Sequence, residues 1–152
     1  MLETLISPKS IAVVGASRKE GKVGHAVLSN LVNSGYQGRI IPVNPNASWI
    51  LGRRARSSLA EVTEDVDLVL VFRPSNEAGA LIDQATTRPE APAVWLQEGI
   101  RHDETAERAR ARGITVVQDL CLFSAHRCLR ANRPDPIVPP GPDQTVSTTR
   151  SA

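Results

Sequence analysis

The residues with the clearest chemistry sit in one segment, Val14-Gly-Ala-Ser-Arg-Lys-Glu-Gly-Lys-Val-Gly-His25. It follows an apolar run and precedes a helical pattern. Gly15 permits a tight turn and close backbone approach to a ligand. A helix beginning near Val23 presents unpaired N–H groups and the positive end of its dipole. Ser17 adds a hydroxyl, and Arg18, Lys19 and Lys22 add positive charge. These are the parts of a phosphate-binding loop. The P-loop pattern Gly-x-x-x-x-Gly-Lys-Ser/Thr is absent. Gly-x-Gly-x-x-Gly is broken as well, because Ser17 stands at the second glycine. An NAD site further wants a carboxylate near the end of the second strand for the ribose diol. That place reads Pro42-Val-Asn-Pro-Asn46, with no acid. The residues favour a phosphorylated ligand and argue against NAD.

Other reactive side chains are few. His25 lies one turn into a helix, beside the cationic segment, and reads as a surface histidine. His102 precedes a helix and is expected to face solvent. Cys121 and Cys128 are seven apart, on one face of a helix, as packing residues are. With no paired histidines they make no zinc site, and two cysteines make no disulfide framework. Asp119 and Glu98 have the types of an acid/base pair, but Glu98 reads as a loop carboxylate. No catalytic and no metal-ligating residue is assigned.

Five short apolar runs must position the cationic segment: Ile11-Ala-Val-Val-Gly15, Arg39-Ile-Ile-Pro-Val43, Asp67-Leu-Val-Leu-Val-Phe72, Ala93-Val-Trp-Leu-Gln97 and Ile114-Thr-Val-Val117. Most are continuous and β-branched, the mark of strands buried on both faces. Between them fall helical patterns. Val23, Ala26, Val27, Leu28, Leu31 and Val32 form one apolar face, and Gly35 stops it. Ser58-Leu-Ala-Glu61 has the form of a capping box. Asn76 stands where it would cap the next helix, which carries Ala80, Leu81 and Ala85. The stretch from Asp103 to Arg112 is acidic first and arginine-rich last, matching the helix dipole, and Gly113 ends it. The expected fold is α/β: a Rossmann-like, doubly wound, parallel five-stranded sheet with two helical segments on each face. Ligands in such sheets sit beyond the carboxyl ends of the strands, near the switch in strand order. That selects Gly15-Ala-Ser17, Asn44-Pro45, Arg73-Pro74, Gln97-Glu-Gly99 and Gln118-Asp119.

Composition bounds the rest. The chain has 152 residues, 41% apolar and 22% charged, an ordinary balance for one domain. Aromatics are 3%, too few for a stacking nucleic-acid surface. A net charge of +2 points to neither nucleic acid nor membrane. No apolar run is long enough to span a bilayer, and the start of the chain lacks the form of a secretory signal. A cytoplasmic protein is expected. Residues 132–152 hold five of the eleven prolines and read as a disordered tail, leaving a domain over 1–131. Charge is uneven: residues 1–56 hold eight Lys/Arg and two Asp/Glu, and residues 57–131 hold eight and twelve. The basic third coincides with the phosphate segment. Trp95 reads as core, whereas Trp49 has no place in this scheme.

Several segments, in order, resemble the coenzyme A-binding domain family. They are Ser7-Pro-Lys-Ser-Ile-Ala-Val-Val-Gly-Ala-Ser17, Gly24, Gly35-Tyr36, Ile41-Pro-Val-Asn-Pro45, Leu51-Gly52, Val66-Asp-Leu68 and Phe72-Arg-Pro74. Val94-Trp-Leu-Gln-Glu-Gly-Ile100 and Val116-Val-Gln-Asp-Leu-Cys121 look like the stand-alone bacterial branch. The family also includes the first domain of NDP-forming acyl-CoA synthetases and the succinyl-CoA synthetase alpha chain. The resemblance covers about 7–130. It implies that Gly15, Ala16, Ser17 and Arg18, with Lys22, Val23 and Gly24, hold the CoA phosphates. Val43, Asn44 and Pro45 would line the adenosine side, with Phe72, Arg73 and Pro74 near it. Gln97, Glu98, Gly99 and Ile100 would border the pantetheine exit. Around Asp119, Cys121 and His126 the family's usual Arg and Glu are missing, which leaves the role of that segment open. The implied function is non-catalytic binding of CoA or acyl-CoA. The rivals are an NAD(P)-binding oxidoreductase or nucleotide sensor, and the CoA-binding subunit of a split NDP-forming acyl-CoA ligase. The ligases carry further domains for which this chain leaves no room, so the third reading needs an ATP-grasp partner chain. An exposed sheet edge would also admit a homodimer.

Overall fold

A computed structural model of the chain describes residue 5 and residues 7–125. The proline-rich segment 132–152, the expected boundary at 131, His126 and Cys128 lie outside the described residues. In chain order the elements are β1 (Ser10–Val14), α1 (Val23–Asn33), β2 (Arg39–Val43), β3 (Trp49–Ile50), β4 (Arg53–Arg54), a 3-10 turn (Leu59–Glu61) and β5 (Leu68–Val71). Then follow α2 (Ser75–Thr86), β6 (Ala93–Leu96), α3 (Asp103–Ala111) and β7 (Val116–Val117). The main sheet has five parallel strands in the order β2-β1-β5-β6-β7, and β3 and β4 form a separate antiparallel hairpin. This is the doubly wound, Rossmann-like α/β architecture expected from the strand runs.

The continuous apolar runs are buried on both faces because each strand feeds two cores. Ile11, Val13, Leu68, Leu70 and Trp95 point to the face covered by α1, where Val27, Leu28 and Leu31 meet them. Ala12, Val14, Val69, Val71, Val94 and Leu96 point to the other face. There α2 and α3 contribute Ala78, Ala85, Ala106 and Ala109, and the 3-10 turn adds Leu59. Small residues let two helices lie close together on that side. Residues 122–125 are helical, and Leu122 joins the α1 face. The expected two-and-two arrangement does not hold: of the four helical segments read from the sequence, the 3-10 turn, α2 and α3 cover one face and α1 alone the other, where residues 122–125 add to it.

Four local expectations need correction. Ser58 has extended N-cap dihedrals but makes no side-chain cap bond, so the capping box does not close and only one 3-10 turn forms. Asn76 does not cap α2: the helix starts at Ser75 behind Pro74, whose fixed φ already suits a helix entry. The last strand is two residues, not four, because Ile114 N–H is still bonded to Ala109 O at the end of α3. His102 does not face solvent freely. It is half-buried at the N-cap of α3, its Nδ1 lies 2.8 Å from Thr105 Oγ1, and its ring packs on Gly79 of α2. A Cβ at Gly79 would come within 2.9 Å of that ring.

Candidate functional site

Strand order reverses at β1, which has β2 on one side and β5 on the other. In sheets of this order the ligand crevice opens beyond the carboxyl ends of the two strands at the switch. Here those ends are Gly15 and Phe72. Gly15 N–H donates to Val43 O (3.1 Å) and Phe72 N–H donates to Val14 O (2.8 Å). Gly15 has φ +96, and a Cβ on it would lie 2.7 Å from Phe72 O. A Cβ on Gly24 would lie 2.0 Å from Gly15 O. The first turn of α1 therefore rests directly on the β1 end, with no side chain between. Only glycine at both positions permits that approach.

The loop over this contact gathers cations around the start of α1. Ala16 is buried, and Ser17 is half-buried with its Oγ accepting from Lys19 N–H (3.1 Å). Gly21 has φ +91 and open space where a side chain would be. Lys22 is the N-cap of α1 and makes no side-chain cap bond, and the first turn carries no acid. His25 N–H donates to Lys22 O (3.1 Å), so the N–H groups of Val23 and Gly24 are the ones left at the helix start, where no acid neutralises the dipole. Arg18, Lys19 and Lys22 are exposed, and none pairs with an acid among the described residues. Val23, the first helical residue, is 65% exposed, and Gly24 is buried. His25 is half-buried two residues into the helix.

The other predicted residues divide into those exposed at the strand ends, those packed on the cores and those bonded as braces. Asn44 is a brace. Its Nδ2 donates to Ala16 O (2.8 Å), and its Oδ1 accepts from Asn46 N–H (2.7 Å). It ties the β2 end to the loop after β1 with both ends of its carboxamide engaged. Val43 puts its side chain in the α2–α3 core, while Pro45 is exposed beside Asn44. Phe72 is half-buried against the α1-face core. Arg73 is exposed and held by Glu77, through Nε–H to Oε1 (3.1 Å) and Nη2–H to Oε2 (2.8 Å). That hydrogen-bonded pair holds Glu77 below the usual carboxylate range. Pro74 is exposed at the N-cap of α2.

At the β6 end, Gln97 is buried and structural: its Oε1 accepts from Leu122 N–H (3.1 Å). Glu98 is exposed. Gly99, at φ +87, donates its N–H to Asp119 Oδ1 (2.7 Å), and Asp119 itself sits at φ +54. Ile100 packs against the α2–α3 core. Asp119 is therefore a loop clamp, and Glu98 does not share a bond with it. Cys121 is half-buried just before the helical residues 122–125. Burial pushes its thiol up, but hydrogen bonds from Ser124, Phe123 and Gln97 outweigh that and bring it below the ordinary value. Among the described residues no group of His, Cys, Asp or Glu could hold a metal ion, and no helix is long and apolar enough to cross a membrane.

Sequence reasoning missed the β3–β4 hairpin. Its two-residue turn, Leu51-Gly52, has both residues at positive φ, +49 and +77. That is hairpin-turn geometry, but Leu is a poor marker for it where Asn or Asp would have been read at once. Ile50 anchors the hairpin in the α1-face core, which leaves Trp49 at its surface.

Comparison with known proteins agrees with this geometry. A family model described as a CoA binding domain matches residues 9–127. The chain is 37% identical over 124 residues to the uncharacterized protein YneT of Bacillus subtilis, covering 82% of this chain and 90% of that protein. It is 38% identical over 87 residues to the alpha subunit of ADP-forming acetate–CoA ligase I of Pyrococcus furiosus. That match covers 55% of this chain but only 19% of the ligase subunit. Among solved structures, the cell-free ID.343 protein of Thermus thermophilus superposes with a TM-score of 0.74 at 35% identity, over 84% of this chain and 95% of that one. With the glycine-lined switch point, the five-stranded order and a match over most of its length, this chain belongs to the CoA-binding domain family.

Proposed function

We infer that this chain is a stand-alone module that binds CoA or acyl-CoA and performs no catalysis of its own. The CoA phosphates lie on the loop 15–24, over the uncapped start of α1. The observation that carries this reading is the set of unpaired cations, Arg18, Lys19 and Lys22, gathered around a helix N-terminus that itself has no acid. A ligand with a pyrophosphate and a ribose phosphate matches several cations better than a single phosphate does. Two side chains with acid/base potential are engaged structurally: Asp119 with Gly99 N–H, and His102 with Thr105. The absence of a carboxylate at Asn44-Pro-Asn46 counts against an NAD-type ribose contact. Calorimetric titration with CoA, dephospho-CoA, NAD and NADP tests the reading. CoA is expected to bind and NAD is not, and the reverse order overturns it.

A second reading follows from the likeness to a ligase alpha subunit. The chain would then supply the CoA site to a separate ATP-grasp chain. Acyl-CoA formation that needs both chains together would favour this reading over the stand-alone one.

A further inference from the structure

Arg73 differs from the other cations at the switch point in having an acid of its own. Its Nε–H and Nη2–H donate to the two oxygens of Glu77, at 3.1 and 2.8 Å, one turn into α2. Arg18, Lys19 and Lys22, on the loop after β1, have no acid partner among the described residues. Yet Arg73 starts from a point in contact with that loop. A Cβ on Gly15 would meet Phe72 O at 2.7 Å and Phe72 C at 3.0 Å, so the peptide joining Phe72 to Arg73 rests against Gly15. From there the two chains part. The loop after β1 leads to α1 on one face of the sheet, and Arg73-Pro74 leads to α2 on the other. Arg73 thus stands on the wall of the crevice opposite the loop cations. Neighbouring strands are about 4.8 Å apart, less than the length of an extended arginine side chain.

The Arg73–Glu77 pair is loosely held. Its side chains are 46% and 45% exposed, and exposed pairs of this kind contribute little to stability. Among the described residues the Glu77 carboxylate accepts from Arg73 alone. The neighbouring pair on the same wall is fixed more firmly. Asp103 accepts from both Arg101 Nη2–H (2.9 Å) and Gln118 Nε2–H (3.0 Å), and Arg101 N–H is tied to Ser75 Oγ (3.0 Å). A guanidinium binds a phosphate with the same two-pronged geometry as a carboxylate, and the phosphate carries more charge. Moving Arg73 from Glu77 to a phosphate replaces one charge-assisted pair by another. It leaves behind an unpaired carboxylate beside the anion, and that opposes binding.

We propose that Glu77 is a built-in competitor for the ligand: it holds Arg73 while the crevice is empty, and a bound phosphate takes Arg73 from it. The proposal rests on the CoA reading of the crevice and adds an acid that weakens binding without touching the ligand. The native affinity is then set below what the cations alone would give, which favours release.

The test follows Arg73 directly. The heteronuclear NMR signal of the Arg73 Nε–H, identified by its loss in Arg73→Ala, is read in the native chain and in Glu77→Gln. Inorganic pyrophosphate and CoA are added in turn. The empty proteins should differ, and the ligand-saturated ones should converge, because Arg73 then has the same partner in both. A native signal that ligand does not move overturns the proposal. Calorimetry supplies the energetics. Glu77→Gln should tighten CoA by about tenfold, and the same substitution in an Arg73→Ala background should gain about threefold or less. Equal gains in both backgrounds mark a remote charge effect and overturn the competition. If pyrophosphate moves the Arg73 signal and CoA does not bind, the CoA reading falls and the exchange stands. If CoA binds and the signal stays, the exchange falls and the CoA reading stands. Binding of neither overturns both.

Discussion

Gly24→Ala perturbs the site at its tightest point. The new Cβ would sit 2.0 Å from Gly15 O, 3.0 Å from Gly15 C and 3.4 Å from Ala16 Cα. A carbon and a carbonyl oxygen need more than 3 Å, so one partner must retreat by more than about 1 Å. Gly15 cannot take up that shift cheaply. Its N–H is bonded to Val43 O, and its other side is pressed by Phe72, where a Cβ would meet Phe72 O at 2.7 Å. The start of α1 must therefore lift away from the strand end. Over-packing of this kind costs about 1–3 kcal/mol, against which alanine's better helix propensity returns about 1 kcal/mol at most. The net expectation is a loss of about 1–2 kcal/mol in urea unfolding. Affinity should suffer more than stability, because the lifted N–H groups are the ones that would face the phosphates in the proposed binding mode. We expect CoA affinity to fall at least tenfold by calorimetry. A variant with native stability and native CoA affinity would refute the idea that the α1–β1 contact forms the phosphate cradle.

Lys22→Ala removes an exposed cation with no ion pair, so stability should stay within about 0.5 kcal/mol while CoA affinity falls roughly three- to tenfold at low salt. Titrations across ionic strength should show the difference shrinking as salt screens it. Asn44→Ala breaks the bonds to Ala16 O and Asn46 N–H and should cost about 1–2 kcal/mol in urea unfolding, with weaker CoA binding because the loop loses its tie to β2. Acid should destabilise the fold through Glu64 and Glu90. Burial raises both carboxyls, but hydrogen bonds outweigh it and hold them below the ordinary glutamate value, helped by Arg56 and Arg39 for Glu64 and by Arg88 for Glu90. A folded-state value below the unfolded one gives stability that is full above the unfolded value and lost as pH falls through the folded one. Urea midpoints should drop on that acid limb, and Glu90→Gln should flatten it.

The fold was legible where the chain repeats a simple physical pattern. Strands buried on both faces write themselves as unbroken apolar runs, and all five appeared within two residues of their bounds. Helix ends were less legible because they depend on side-chain geometry. Ser58 has the right type and dihedrals for a cap, yet its hydroxyl makes no cap bond. The same limit governed the site. Sequence could name Asn44 and Gln97, but their work as braces depends on where Ala16 O and Leu122 N–H lie after folding. His102 was misread for a related reason. Its packing depends on Gly79, 23 positions earlier in the chain, leaving room for an imidazole between two helices.

The distribution of ion pairs gives the basic first third its meaning. From residue 73 onward, Arg73, Arg88, Arg101, Arg108 and Arg110 all have acid partners. The cations without one, among the described residues, are Lys9, Arg18, Lys19, Lys22, Arg53, Arg54 and Arg112. Lys9 precedes β1 and Arg112 follows α3, so both lie at the amino ends of the strands, away from the crevice. Of the other five, Arg18, Lys19 and Lys22 lie on the loop after β1, and Arg53 and Arg54 on the hairpin along the β2 edge. Gathering like charges without partners costs stability through mutual repulsion. A chain selected for solubility alone would gain more by interspersing acids there, as it does along α3. The cost is offset when a multiply charged anion occupies the crevice, since binding to the folded state alone stabilises it by about 2.7 kcal/mol at a hundredfold excess over Kd. The near-neutral total charge is thus a sum of two regions: one neutralised internally by ion pairs, the other left positive where the proposed ligand would bind.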